Sequence, residues 1–230
     1  MYRLVKELDF KSQKSISYKL RSKRMQLLES LLESMCSRPK EFKIIDIGGT
    51  QAFWDCLAPD FISSCRVILL NLKITAANRD NFTSIMGDAT DMSEFEDKVF
   101  DLVFSNSVIE HVGDFEAQKR MAMEVQRVGK MYFLQTPNKH FPVEPHFIFP
   151  FFQYLPYFIK GFLISHFSLG PYKRITDKDK AKALGQSIRL LTKKELKKLF
   201  PDANIYEEKF LGLTKSFIVY DLGLNMVNNG

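Results

Sequence analysis

Cysteine and tryptophan are both scarce in this 230-residue chain, with three of the first and one of the second. Cys36, Cys56 and Cys65 are odd in number and include no C-x-x-C pair. That argues against a disulfide framework or a thiolate zinc site, and it predicts a reducing, cytoplasmic setting. Low complexity is absent too. Apolar residues make up 45% and charged residues 26%, which excludes a disordered or collagenous chain and leaves enough for a sizeable core. Residues 1–14 contain no apolar run, so no secretory leader is expected.

Phenylalanine is plentiful, at 21 residues, and Lys plus Arg number 33 against 27 Asp plus Glu, a net charge of +6. The charge is unevenly placed. Residues 1–24 hold eight cations and two anions, residues 160–198 eleven and three, and the rest fourteen and twenty-two. An acidic body thus carries two basic stretches. The first reads as a solvated helix face, the ordinary fate of a charge run. The second is a candidate for meeting something anionic.

Periodicity lays out the elements. Met25, Leu28, Leu31, Leu32 and Met35 recur at helical spacing and predict an amphipathic helix ending near Arg38-Pro39. Residues 42–49, 66–72, 82–86, 99–104 and 130–135 read as apolar strands, and 114–127 as a helix between the last two. Thr192-Lys193-Lys194-Glu195 is a capping box that opens a helix stopped by Pro201. Two strands around Leu211-Gly212-Leu213 read as a hairpin. Apolar strands alternating with helices predict an α/β fold with a parallel sheet covered on both faces.

Two units are expected: an N-terminal helical arm over 1–39, and one domain over 40–230 with a lid or acceptor insertion at about 140–190. Within the insertion, residues 147–167 include fourteen Phe, Tyr, Ile or Leu in 21 positions. Pro150 and Pro156 interrupt that run, predicting short helices joined by a turn rather than a membrane span. The plain expectation is that these aromatics pack on the sheet. A lid over a pocket and an interfacial helix are the functional alternatives.

The chemistry-bearing residues fall at strand ends. Asp46-Ile47-Gly48-Gly49 turns tightly after the first strand, where open α/β sheets bind ligands. Thr50-Gln51-Ala52-Phe53 follow, so the later glycines of a G-x-G-x-x-G turn are missing, which disfavours a nicotinamide dehydrogenase. Asn71 ends the second strand, in place to bond ribose hydroxyls. Asp88, in Gly87-Asp88-Ala89, follows the third, in place to accept from an adenine amino group. Residues 100–106 form the fourth strand and its exit.

These four motifs, in this order over roughly residues 40–140, resemble the class I S-adenosylmethionine-dependent methyltransferases. The resemblance implies a Rossmann-like, seven-stranded, mostly parallel sheet with an antiparallel C-terminal hairpin. It implies S-adenosyl-L-methionine as cofactor. Asp46, Gly48 and Gly49 would lie beneath the methionine part, Asp88 and Ala89 would flank the adenine, and Ser105 would sit near the sulfonium. Thr50, Asn71, Leu72 and Asn106 complete the expected cofactor set. Asn71 departs from the acidic residue many members carry, giving up a charge-assisted bond to ribose. Bacterial type 11 methyltransferases of uncharacterised substrate look closer still. They share Gly48-Gly49-Thr50 with Phe53-Trp54, Asn71-Leu72, the run 105–111 and the stretch 135–146. Such sequences are associated with surface-polysaccharide and lipid-linked glycan pathways.

Glu110, His111 and His146 are the candidate catalytic residues, with His111 as general base and Glu110 orienting it. A histidine that caps a helix is the bland alternative. Plant-type small-RNA 2′-O-methyltransferases hold a divalent ion with a similar Glu-x-x-Glu-His run and a later His. Here Ser107 stands at the first Glu, so no metal is expected, and Glu110, His111 and His146 are the candidates that remain. The leading expectation is methyl transfer to a hydroxyl of an anionic glycan, lipid-linked or small-molecule acceptor, with peripheral contact at the inner membrane face. RNA 2′-O-methylation is an alternative, weakened by Ser107 and the lack of an RNA-binding module, so nucleic acid is not the expected partner. A non-catalytic membrane-surface module that keeps the fold is another.

Overall fold

The computed structural model describes residues 16–33, 42–54 and 62–223. The predicted first helix is α1 (Ile16–Glu33), and its expected end at Met35, Arg38 and Pro39 lies outside the described residues. Strands β1 (Phe42–Ile47), β2 (Cys65–Asn71), β3 (Phe82–Met86), β4 (Phe100–Asn106) and β5 (Gly129–Pro137) match the five apolar runs. A two-stranded hairpin, β6 (Val143–Glu144) with β7 (Phe149–Pro150), follows β5. The C-terminal hairpin is β8 (Asn204–Phe210) and β9 (Leu213–Asp221). Its two-residue turn puts Leu211 at φ 50° and Gly212 at φ 80°, the left-handed pair that suits the twist of such a hairpin.

The seven-stranded sheet runs β3-β2-β1-β4-β5-β9-β8. Its first five strands are parallel, and β9 and β8 complete it in antiparallel fashion. Side chains alternate between its two faces, and the core divides accordingly. Ile45, Val103, Tyr132 and Leu134 pack with Met121 and Val125 of α3 (Phe115–Val128) and Leu196 of α6 (Lys193–Leu199). Ile44, Leu102, Phe104 and Phe133 pack with Trp54 of α2 (Gln51–Trp54) and with Met25 and Leu28 of α1. The order reverses at β1, whose neighbours are β2 and β4, so the carboxyl ends of β1 and β4 flank the crevice where such sheets take ligands. The Thr192–Glu195 capping box is formed as expected.

Two expectations are corrected. The aromatic stretch does not simply pack on the sheet. Phe147 and Phe152 form a separate small core with Ile164 of α4 (Tyr157–His166) and Ala181 of α5 (Lys178–Gln186). Phe151, Tyr154, Tyr157, Phe158, Phe162 and Phe167 are left exposed instead. There are too few buried positions for them, because α4 packs chiefly on α5 rather than under a second layer. No helix among the described residues is long and apolar enough to cross a membrane.

The second correction concerns the first basic stretch. Arg24, its last member, is not solvated. Its guanidinium forks onto Glu208, with Nε 3.0 Å from Oε1 and Nη2 2.7 Å from Oε2, and both side chains are buried. It also bonds Asn106 Oδ1. This pair pins α1 to β8 and to the end of β4. Arg24→Ala strands a buried carboxylate and is expected to cost roughly 3–5 kcal/mol in urea denaturation. The exposed Lys23→Ala should stay within about 0.5 kcal/mol.

Candidate functional site

The Gly48-Gly49 turn is built around one carboxylate. Asp46 is fully buried in β1, and its Oδ2 accepts from Trp54 Nε1 at 2.6 Å. A methyl group at Gly49 would lie 1.6 Å from that same oxygen, so only glycine fits. Gly48 sits at φ 74°, and a methyl there would meet Val108 at 2.4 Å. The turn therefore touches the exit of β4. Asn71 Nδ2 braces it by donating to the Gly49 carbonyl at 2.9 Å. Asp46 Oδ1 is buried with no partner. Burial pushes this carboxyl up to about 8, against the Trp54 hydrogen bond.

The other expected cofactor residues are spread along the same edge. Thr50 and Leu72 are exposed, and Asp88, also exposed, bonds the Thr90 amide and hydroxyl. Ala89 is buried in the core. Ser105 is buried, its Oγ 3.5 Å from the Ile47 carbonyl. Asn106 is taken up by Arg24, a tie to α1 that local sequence does not reveal.

Beyond β4 a single 3₁₀ turn, Ile109–His111, fixes the second part of the site. Ile109 anchors it in the core, Gln118 of α3 holds the Ile109 carbonyl, and Arg189 N–H donates to the Glu110 carbonyl. Glu110 then points inward and His111 outward. Glu110 Oε2 accepts from the Thr136 hydroxyl at 2.9 Å, while Oε1 is buried without a hydrogen bond. His146 faces it, with Nε2 3.8 Å from Oε1. The rings of His111 and His146 meet edge to face at 4.8 Å.

Glu110 was expected to orient His111, but no hydrogen bond joins them among the described contacts. A carboxylate does hold a histidine here, but the pair is Glu144 with His146, and Glu144 carried no role in the sequence analysis. Its Oε1 binds His146 Nδ1 at 2.7 Å, and its Oε2 accepts from the amides of His146 and Phe147. The available signal was its place two residues before His146, on a chain turning back through Pro145. Ser107, at φ 57°, turns its hydroxyl to Gln135 Oε1.

Electrostatics separates these groups. Burial raises the Glu110 pKa, partly offset by His146. Burial opposes charge on His146, but the Glu144 hydrogen bond and the charges of Glu144 and Glu110 outweigh it and raise its pKa. The His111 pKa is held down to about 4, first by the protein around its ring and then by His146. Glu110, His111 and His146 each present a donor atom within 4.8 Å of the others, so the corner could hold a metal ion.

Glu144 also lines a cavity of about 400 Å³ between β6, α4 and the 185–190 segment. Lys139, Lys160 and Arg189 line it with Phe152 and Tyr157. Lys160 is buried, its Nζ over both rings at 5.7 and 5.3 Å and 3.4 Å from the Gln153 carbonyl. Burial lowers its pKa. Gln153 Oε1 is buried there without a partner.

Residues 47–131 match the family model of a methyltransferase domain. Likeness of fold to solved structures extends past the matched segment. The CurJ carbon methyltransferase superposes with TM-score 0.57 at 13% identity, covering 93% of this chain and 56% of that one. The DszA carbon methyltransferase superposes with TM-score 0.54 at 10% identity, covering 91% and 55%. At such identities the likeness concerns the fold. Two uncharacterised proteins of Mycobacterium tuberculosis, MT1557 and Rv1509, are 41% identical over 56 residues, which is 24% of this chain and 19% of theirs. The matched part is thus under a fifth of those relatives' length.

The protein should carry a pH signature from Asp46. Its folded pKa lies above the unfolded value, so the folded chain keeps a proton that the unfolded chain loses between about pH 4 and 8. Stability of the cofactor-free protein falls as pH rises through that window. Asp46→Asn should flatten the slope, read by urea denaturation at about pH 5 and about pH 8.

Proposed function

We propose that the protein transfers a methyl group from S-adenosylmethionine to a hydroxyl of an anionic small-molecule or lipid-linked acceptor. The observation that carries this reading is the adjacency of three parts: a glycine turn with an unpaired buried acceptor, a His/Glu corner, and a cavity with a buried lysine. The turn fits the cofactor. Gly48 and Gly49 expose backbone where any side chain would intrude, and Asp46 Oδ1 is one acceptor short of partners, which suits the cationic amine of a methionine group.

S-adenosylmethionine supplies a methyl group on a positively charged sulfur. The chain's own task is to align the acceptor oxygen in line with that carbon and to manage its proton. The corner of Glu110, His111 and His146 is where this chain carries the groups for the proton. Lys160 and Lys139 would meet the acceptor's negative charge in the cavity. Lys160 is desolvated, so a single anionic contact there is worth more than one at the surface. Residues of about 140–190 then serve as the acceptor-binding lid. Exposed Tyr157, Phe158, Phe162 and Phe167, beside the lysines of α5, support presentation of the acceptor at an anionic lipid surface.

Calorimetry of the purified protein with S-adenosylmethionine is the first test, and absence of binding removes the reading. With acceptor in hand, Lys160→Met should raise KM about tenfold or more with a smaller change in kcat, as expected for loss of a binding contact. Co-sedimentation with phosphatidylglycerol vesicles should exceed that with phosphatidylcholine, and Phe158→Ser with Phe162→Ser should reduce it. Equal binding to both vesicle types would leave a soluble acceptor.

A further inference from the structure

We propose that Glu110, His111 and His146 form a site for one divalent transition-metal cation. The geometry at Glu110 motivates it. Oε1 of Glu110 is buried, lacks a hydrogen bond, and points to His146 Nε2 3.8 Å away. That separation is too long for a hydrogen bond. With Glu144 accepting at Nδ1, the proton that His146 would give up to a cation is the one on Nε2, which leaves a lone pair turned toward Glu110. Two acceptors then confront each other across a gap, with His111 offering a third donor atom within 4.8 Å. A cation satisfies all three at once.

The spacing suits a metal. Ligands bound at about 2.0–2.2 Å in tetrahedral array stand about 3.4 Å apart, so the Glu110–His146 pair needs only a small contraction. Glu144 on the far nitrogen of His146, and Thr136 on the far oxygen of Glu110, are the outer partners that hold metal ligands in place. Two buried carboxylates beside two imidazoles balance a double positive charge. Two nitrogen ligands and one oxygen favour zinc, cobalt, manganese or iron(II) over magnesium or calcium. Three protein ligands leave coordination positions open; His111 is the exposed member, and His146 is held by Glu144, which lines the cavity. A hydroxyl oxygen of the acceptor would occupy an open position. That last role rests on the methyl-transfer reading, whereas the cation site does not.

Untagged protein, freed of metal with a chelator and dialysed, is titrated with Co²⁺ alone. The expected result is visible absorption saturating at one-to-one stoichiometry, displaced by Zn²⁺, with a matching rise in Tm. Glu110→Gln and His146→Asn should each weaken binding at least about tenfold, and Glu144→Gln about 10- to 100-fold without changing the stoichiometry. Wild-type protein that gives no Co²⁺ absorption overturns the proposal. So do Glu110→Gln and His146→Asn proteins, folded by circular dichroism, that titrate as wild type does. Calorimetry with S-adenosylmethionine on the same samples separates the two readings. Cofactor bound without metal removes the metal site alone, and metal bound without cofactor removes methyl transfer alone.

Discussion

Three carboxylates, those of Asp46, Glu110 and Glu144, are buried at or beyond the carboxyl ends of the central strands, and keeping them there organises their surroundings. A buried carboxylate is tolerated only when hydrogen bonds or opposite charges replace its water. Asp46 receives Trp54, which sets the position of α2 and forbids a side chain at Gly49. Glu144 receives two amides and a histidine ring, which shapes the turn after β6. Glu110 receives only Thr136 and is left one partner short. The unpaired oxygens of Asp46 and Glu110 therefore mark two points, one beside the glycine turn and one at the histidine corner, where a buried acceptor has no hydrogen-bond partner.

The remaining structure brings those points to one edge. Parallel pairing of β1 with β4 and of β4 with β5 aligns their carboxyl ends, so residues 46–49, 105–111 and 135–146 share a rim. The insertion adds a cavity against Glu144 and hangs its own small core from α4 and α5. That core is too small to bury seven phenylalanines, and the surplus is displayed outward. Aromatic surface and the lysines of 160–182 thus share the insertion, a basic stretch of an otherwise acidic body.

Much of the fold was legible in the sequence because strand and helix periodicities are local. The five apolar runs, the capping box at Thr192 and the Leu211-Gly212 turn each depend on residues within a few positions of one another. The glycine turn was legible for the same reason. Legibility failed for partners far apart in the chain. Arg24 looked like one more solvated cation because Glu208 is 184 residues away. Asn106 read as part of the cofactor set, and its tie to Arg24 is invisible locally because nothing nearby announces α1. Glu110 was assigned to His111 by adjacency, but adjacent residues on a 3₁₀ turn point in different directions, one into the protein and one out.

By itself the sequence determined the α/β class, the strand order along the chain and the glycine turn at the end of β1, because backbone preference and burial pattern act over short range. Only the tertiary structure decided that Glu144 holds His146, that Lys160 is buried beside a cavity, and that Arg24 locks α1 to the sheet. Those are choices among distant partners. They are settled by which buried charge can be compensated where the chain has already folded.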